Sequence, residues 1–330
     1  MVQVALIGVS AGAATALLFA SVASGSALSV PLFYLAPLPI LIAAMGWSHW
    51  AALIAAIVAA AGLAAVFGGF FFIAFLIGIG LPAWWLGYLA LLARPAATPG
   101  GLEWYPVGHL VFWAAIIGAA IVIAGIVTLG SDLDSFRASL RSGLERMLNL
   151  QPRRPPSPAD AAPPLSQPSR LIDVLIAVLP PAAAVLATIT NVVNLWLAER
   201  IVAVSGRLRR PPSNLSAMQF PLYAPAITAV AVAASFLPGI VGVSAGVLAF
   251  SLLMAYAILG FAVLHMITRG MGSRPFALGG VYAAVIVFGW PVLVLSLLGL
   301  ADTASISAAA LLAAAARPIL KPETVERPWK

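Results

Sequence analysis

The chain has 330 residues, of which 62% are hydrophobic and only 8% charged, with a formal net charge of +7. No Lys, Arg, Asp or Glu precedes Arg94; that excludes a water-soluble domain, which needs a charged surface, whereas a charge at the centre of a membrane helix costs about 2.5–3.5 kcal/mol. The lack of Cys excludes disulfides and thiolate metal sites, and the excess of Arg at the ends of apolar runs points to lipid headgroups and topology anchoring, not to nucleic acid.

Length and pattern predict an all-α, polytopic transmembrane bundle of about nine spans of roughly 20 residues each, with one interfacial amphipathic helix. Met1 to Ala27 has the small residues of a cleavage site but no basic leader, so it reads as a retained first helix. Span 1, about Val4 to Val22, carries Gly8, Gly12, Ala16 and Ala20 every fourth position. Such a stripe lets another backbone approach closely, either within the protein or from a membrane partner. Span 2, about Val30 to Gly46, is interrupted by Pro31, Pro37 and Pro39, and span 3 runs about His49 to Phe67. Span 4, Phe70 to about Ala93, holds Gly78, Gly80 and Pro82. Proline removes an amide donor and frees a carbonyl one turn back, so these interruptions must be buried or line a cavity.

A polar loop over 94–106 precedes span 5, about Val107 to Leu129. Ser131 then caps a helix whose Leu133, Phe136, Leu140, Leu144 and Met147 share one face, with Arg141 placed to meet Glu145 at i,i+4. This is the predicted membrane-surface helix, and Gln151 to Ser169 is a Pro/Ser-rich tether. Span 6 runs from about Leu171 to Ala203 with a bend at Pro180-Pro181. Spans 7 to 9 follow at about Phe220 to Leu237, Ile240 to Met266 and Phe276 to Leu300, and an Ala-rich helix covers Ser305 to Ala316. The chain thus divides into an amino-terminal bundle (1–130), helix and tether (131–170), a second bundle (171–302) and a tail (303–330). A cytoplasmic N-terminus puts inside the loops bearing Arg94, the topology anchors Arg200, Arg207, Arg209 and Arg210, and Arg269 with Arg274, but leaves the Arg137–Arg170 island and the tail outside, against the positive-inside expectation.

The candidate binding residues are few. Thr188, Asn191 and Asn194 step by three, so they share a helical face. Two amides inside a span need a partner helix or a wet cavity. Tyr256 with Gly260, His265 and Pro82 complete the polar or interrupted positions of a candidate substrate site. The three His, at 49, 109 and 265, show no metal-ligand spacing. No phosphate-cradling G-x-x-x-x-G-K-[ST] run occurs, so no cofactor is implied and ATP coupling would need another subunit. Gly8-Val-Ser-Ala-Gly12 and Gly242-Val-Ser-Ala-Gly246 fit G-x-S-x-G, but that elbow needs a strand–turn–helix with an exposed Ser. An intramembrane serine hydrolase built on Ser10 is the weakest reading, and the chain is read as no enzyme.

Asn191-Val-Val-Asn-Leu-Trp-Leu-Ala-Glu-Arg-Ile201, Gly206-Arg-Leu-Arg-Arg-Pro211, Met218-Gln-Phe-Pro221, Tyr256 to His265 and Leu298-Gly-Leu-Ala-Asp302 together resemble the YybS-like family of uncharacterised bacterial multi-pass membrane proteins. The resemblance is strongest over 170–302 and extends through Pro37-Leu-Pro-Ile40 and Leu86-Gly-Tyr-Leu89. The first half is also similar to substrate-binding subunits of vitamin-uptake transporters, in which a small-residue face on the first helix docks a coupling protein. By that resemblance Gly8, Gly12, Ala16 and Ala20 are a partner face. Location in a bacterial cytoplasmic membrane follows from the same resemblance. The expected function is a small-solute binding or transport component, with a non-enzymatic scaffold for envelope or complex assembly as the rival. A packed core around Asn191 favours the scaffold; a polar vestibule reaching Asn191 or Pro82 favours transport.

Overall fold

A computed structural model describes residues 1–96, 101–147, 168–214 and 218–315. Most of the expected tether and the charged end of the tail lie outside the described residues. The helices are α1 (Val2–Ala20), α2 (Ser29–Tyr34), α3 (Leu38–Gly46), α4 (His49–Phe67), α5 (Phe70–Phe75), α6 (Leu81–Ala90), α7 (Val107–Leu129), α8 (Leu133–Met147), α9 (Pro168–Val204), α10 (Ala224–Ala234), α11 (Gly239–Ile267), α12 (Arg274–Phe288) and α13 (Pro291–Ala315).

Seven apolar helical stretches among the described residues are long enough to cross a bilayer: Val2–Ser24, Ser29–Gly46, His49–Phe67, Phe70–Ala90, Val107–Leu129, Arg170–Val204 and Gly239–Ile267. The other two expected spans differ from the sequence reading. The seventh is helical only over the 11 residues of α10, which follows Pro221, holds Pro225 in its first turn and ends at Ala234. The ninth is split into α12 and α13 at Gly289, whose φ of +70° lies in the left-handed region, with Pro291 opening the next helix. The Ala-rich stretch after Ser305 is no separate helix; it continues α13.

Proline acts differently at each interruption. Pro37 has no N–H, so the chain tightens between α2 and α3, with Ala36 N–H on Phe33 O and Leu38 N–H on Leu35 O. That leaves the Tyr34 carbonyl outside the helical ladder. In span 4 the helix does not break at Pro82; it widens into a π-type turn over Leu76–Gly80, with Leu81 N–H reaching Leu76 O. Pro180 and Pro181 lie inside α9, which stays helical through them.

The polar loop expected over 94–106 is instead an antiparallel hairpin of β1 (Ala93–Pro95) and β2 (Leu102–Trp104). Arg94 Nε donates to Glu103 Oε2 at 2.8 Å across the pair. That hydrogen bond and the opposite charge hold the Glu103 carboxyl below its ordinary range.

Three cores form among the described residues, two large ones and a smaller one around Phe136 under α8. The first surrounds the Ala face of α4, where Ala52, Ala55, Ala56, Ala59 and Ala60 are fully buried against α1, α3 and α6. Small residues permit this, because association inside a bilayer rests on close packing. A methyl on Gly8 would meet Ile54 Cβ at 2.7 Å, and one on Gly12 would meet Ala55 O at 2.7 Å. The second core gathers Phe112, Phe220 and Leu252 around a fully buried Tyr256. There Gly260 and Gly299 bring the backbones of α11 and α13 into contact.

Candidate functional site

The polar face of α9 is placed as its three-residue spacing predicts, and each member is matched to a specific acceptor. Thr188 Oγ1 lies 2.8 Å from Ala184 O and 2.7 Å from Ser251 Oγ on α11. Ser251 in turn donates to Ala115 O on α7 at 2.7 Å. Gly118 lets α7 come this close, since a methyl there would sit 3.0 Å from Thr188 Oγ1. Asn191 Nδ2 reaches Ala114 O at 3.4 Å. Asn194 Nδ2 donates to Thr190 O one turn back and to the freed Tyr34 O, both at 2.8 Å. The two carbonyl acceptors fix the amide orientation. Asn194 Oδ1 is buried with no partner among the described residues.

This face is packed. Thr188 is fully buried, and Asn191 and Asn194 are 8% and 1% exposed. Pro82 is buried in α6, Tyr256 is enclosed beside Thr228, and His265 lies at the end of α11. There His265 Nδ1 contacts Phe261 O at 2.9 Å and Nε2 contacts Tyr282 Oη at 3.4 Å. Neither Pro82 nor His265 bonds to the α9 face. Ser251, the partner that completes the network, is a small hydroxyl in an apolar run whose mid-span position was the only signal in the sequence.

The small-residue stripe of α1 is used inside the chain. Gly8 and Gly12 are buried against α4, and Ala16 and Ala20 pack on the first core. The α1 surface left open carries Leu6, Val9 and Leu17 instead. Ser10 Oγ donates to Ile7 O of its own helix at 3.1 Å, the ordinary use of a serine in an apolar helix.

Of the four anchoring arginines, Arg210 departs from its expected place at a headgroup boundary. It is 7% exposed, and Nη1 donates to Ala90 O at 3.3 Å. Burial lowers its pKa, with nearby Glu199 opposing that shift. Glu199 itself accepts from the backbone N–H and hydroxyl of Ser213. Arg207 lies over the Trp47 ring, 4.7 Å from its centroid, and Arg200 over Trp196 at 5.8 Å. The Arg207 and Arg210 contacts staple the segment after α9 onto the first bundle, whereas the Arg200 contact lies within α9 itself.

The surface helix α8 differs from expectation in two contacts. Asp132, not Ser131, caps it: Asp132 Oδ1 accepts from Asp134 N–H at 3.0 Å and Ser135 N–H at 2.9 Å. A carboxylate suits that position better, because it faces the positive helix end. The backbone and hydroxyl hydrogen bonds from Ser135 hold the Asp132 carboxyl below its ordinary range. Arg141 pairs with Asp173 of α9, not with Glu145, because α8 folds back onto α7 and α9 with Phe136 buried between them.

That docking leaves a cavity of about 650 Å³ under α8, open on one side. Its mouth carries Arg137, Arg141 and Asp173, and its walls include Ile176, Pro181, Val247 and Phe250. A second cavity of about 630 Å³, at the start of α7, is lined by His109, Gln219 and Tyr223 among others. Neither is lined by Asn191, Asn194 or Pro82. No group of three or more His, Asp or Glu able to hold a metal occurs among the described residues.

Comparison with known proteins places this geometry in context. A family described as a predicted membrane protein family (DUF2232) matches residues 13–303. No curated protein and no solved structure matches the chain.

Proposed function

The chain belongs to this family of predicted membrane proteins, and from that premise we propose that it is a non-catalytic binding component of the membrane. In this reading its ligand sits at the α8 end of the bundle, not at the midplane. The observation that carries the proposal is the cavity of about 650 Å³, where charged side chains at the mouth meet an apolar wall. A concave, mostly apolar site with a few convergent polar groups is the usual form of a ligand site. The packing of Asn191 and Asn194 weighs against a solute held between spans 2, 4 and 6.

The test is native mass spectrometry of the full chain extracted in mild detergent. The wild type should carry a non-covalent adduct, and Gly246→Phe, which fills the cavity from α11, should lose it while keeping its helicity. An unaltered adduct in a folded Gly246→Phe protein would remove the proposal.

A scaffold role is the second reading, favoured by the packed core around Asn191 and by one further observation. Helix α12 is apolar yet has no buried residue, and Phe276 and Ile286 are among its most exposed side chains. The open face of α1 is the other surface available to a membrane partner. A photo-crosslinker at Ile286 that yields a discrete protein adduct in the native membrane supports this reading, and lipid adducts alone count against it.

A further inference from the structure

We infer that the cavity under α8 takes an anionic membrane amphiphile, with a phosphate-bearing headgroup at Arg137 and an acyl chain along α9 and α11. The inference rests on reading that cavity as the binding site, and it names the class of ligand.

Charge comes first. Two guanidinium groups and one carboxylate stand at the mouth. Arg141 is engaged by Asp173, whereas Arg137 has no ion pair among the described residues. Among the described residues the lining therefore carries one positive charge in excess of its carboxylate, which matches a single phosphodiester. Arginine is suited to that role, because its planar fork donates to two phosphate oxygens at once.

Shape comes second. From Asp173 to Pro181 the wall descends eight residues of α9, about 12 Å at 1.5 Å per residue. Over that depth it presents Ile176 and Pro181 from α9, with Val243, Val247 and Phe250 from α11. A small hydrophilic anion would satisfy Arg137 but leave this wall unmatched, and a zwitterionic lipid would cover the wall but leave Arg137 poorly compensated. An anionic lipid satisfies both. The position fits as well, because α8 carries polar and apolar faces and follows the end of span α7, where headgroups lie.

The experiment titrates the delipidated full chain with phosphatidylglycerol or phosphatidylcholine of identical acyl chains and reads bound lipid by native mass spectrometry. Phosphatidylglycerol should bind about fivefold more tightly, the ratio one basic residue contributes against an anionic headgroup. Arg137→Gln should bring the two lipids level, and Gly246→Phe should abolish both; should that variant fail to fold, Ala177→Leu on the α9 wall replaces it. Equal binding of both lipids to the wild type, with both lost in the filled variant, would overturn the anionic assignment and leave the cavity reading standing. Lipid binding unchanged by the filled variants would overturn the cavity reading itself. Displacement of bound lipid by millimolar inorganic phosphate would identify a soluble anion and overturn the amphiphile.

Discussion

The Asn194 side chain on α9 lies 2.8 Å from the Tyr34 carbonyl, 160 positions earlier in the chain. Pro37 breaks the α2–α3 ladder, the break exposes a carbonyl, and a distant amide satisfies it. Asn194→Leu should therefore lower stability by about 1–2 kcal/mol, the cost of stranding a buried acceptor. Asn194→Asp should cost more, since it puts carboxylate oxygens against two carbonyls that now receive two N–H donors. Unfolding titrations in detergent micelles would rank the two, and equal losses would refute the capping role.

Close approach of α1 and α4 depends on Gly12, where any side chain meets the Ala55 carbonyl. Gly12→Val should destabilise by about 1–3 kcal/mol through overpacking. Gly62→Ala is the control: its new methyl would sit 3.8 Å from Ala16 Cβ, an ordinary contact. It should raise stability by about 0.5–1 kcal/mol through reduced backbone entropy. The same titrations measure both.

Arg210 and Arg209 separate anchoring from structure. A topology anchor needs only charge, so Arg209→Lys, at an exposed position, should change nothing measurable. Arg210→Lys should cost about 1–2 kcal/mol, because a buried lysine cannot reproduce the guanidinium geometry at the Ala90 carbonyl. Equal effects of the two substitutions on the thermal midpoint would return Arg210 to the anchoring role.

The cap at Asp132 makes the start of α8 acid-sensitive. Its carboxyl is held below the ordinary range by Ser135, so the folded state favours the ionised form. The stabilisation is present above the ordinary carboxylate range and lost as pH falls through the depressed folded-state value. The protection of α8 amides, measured as hydrogen exchange relative to the intrinsic rate at each pH, should fall over that acid window, and Asp132→Ala should show the lower protection already at neutral pH. Identical profiles for the two proteins would remove the cap from the account.

Much of this bundle was legible because apolar runs have sharp ends. Val107 to Leu129 is bounded by Pro106 and Gly130, and the helix stops at both. The polar face of α9 was legible for a related reason: amides in hydrocarbon need partners, and a step of three puts them on one side. What escaped depends on contacts between distant residues. Arg141 has a good local partner in Glu145, yet Asp173 wins because α8 folds back onto α9. Arg94 and Glu103 resemble solvated loop charges until the hairpin sets them opposite each other. Arg210 reads as one more basic flank residue, and only the return of its segment onto α6 buries it. The cavity is of the same kind, since α8, α9 and α11 each contribute a wall that means little alone.

The bond between Asn194 and Tyr34 also bears on how the protein is made. A ribosome delivers the first five spans to the membrane well before α9 exists, so the Tyr34 carbonyl must wait inside the nascent bundle, satisfied by water or another transient donor. Insertion of α9 then closes the gap, and the late arrival of one helix completes the geometry of the earliest ones.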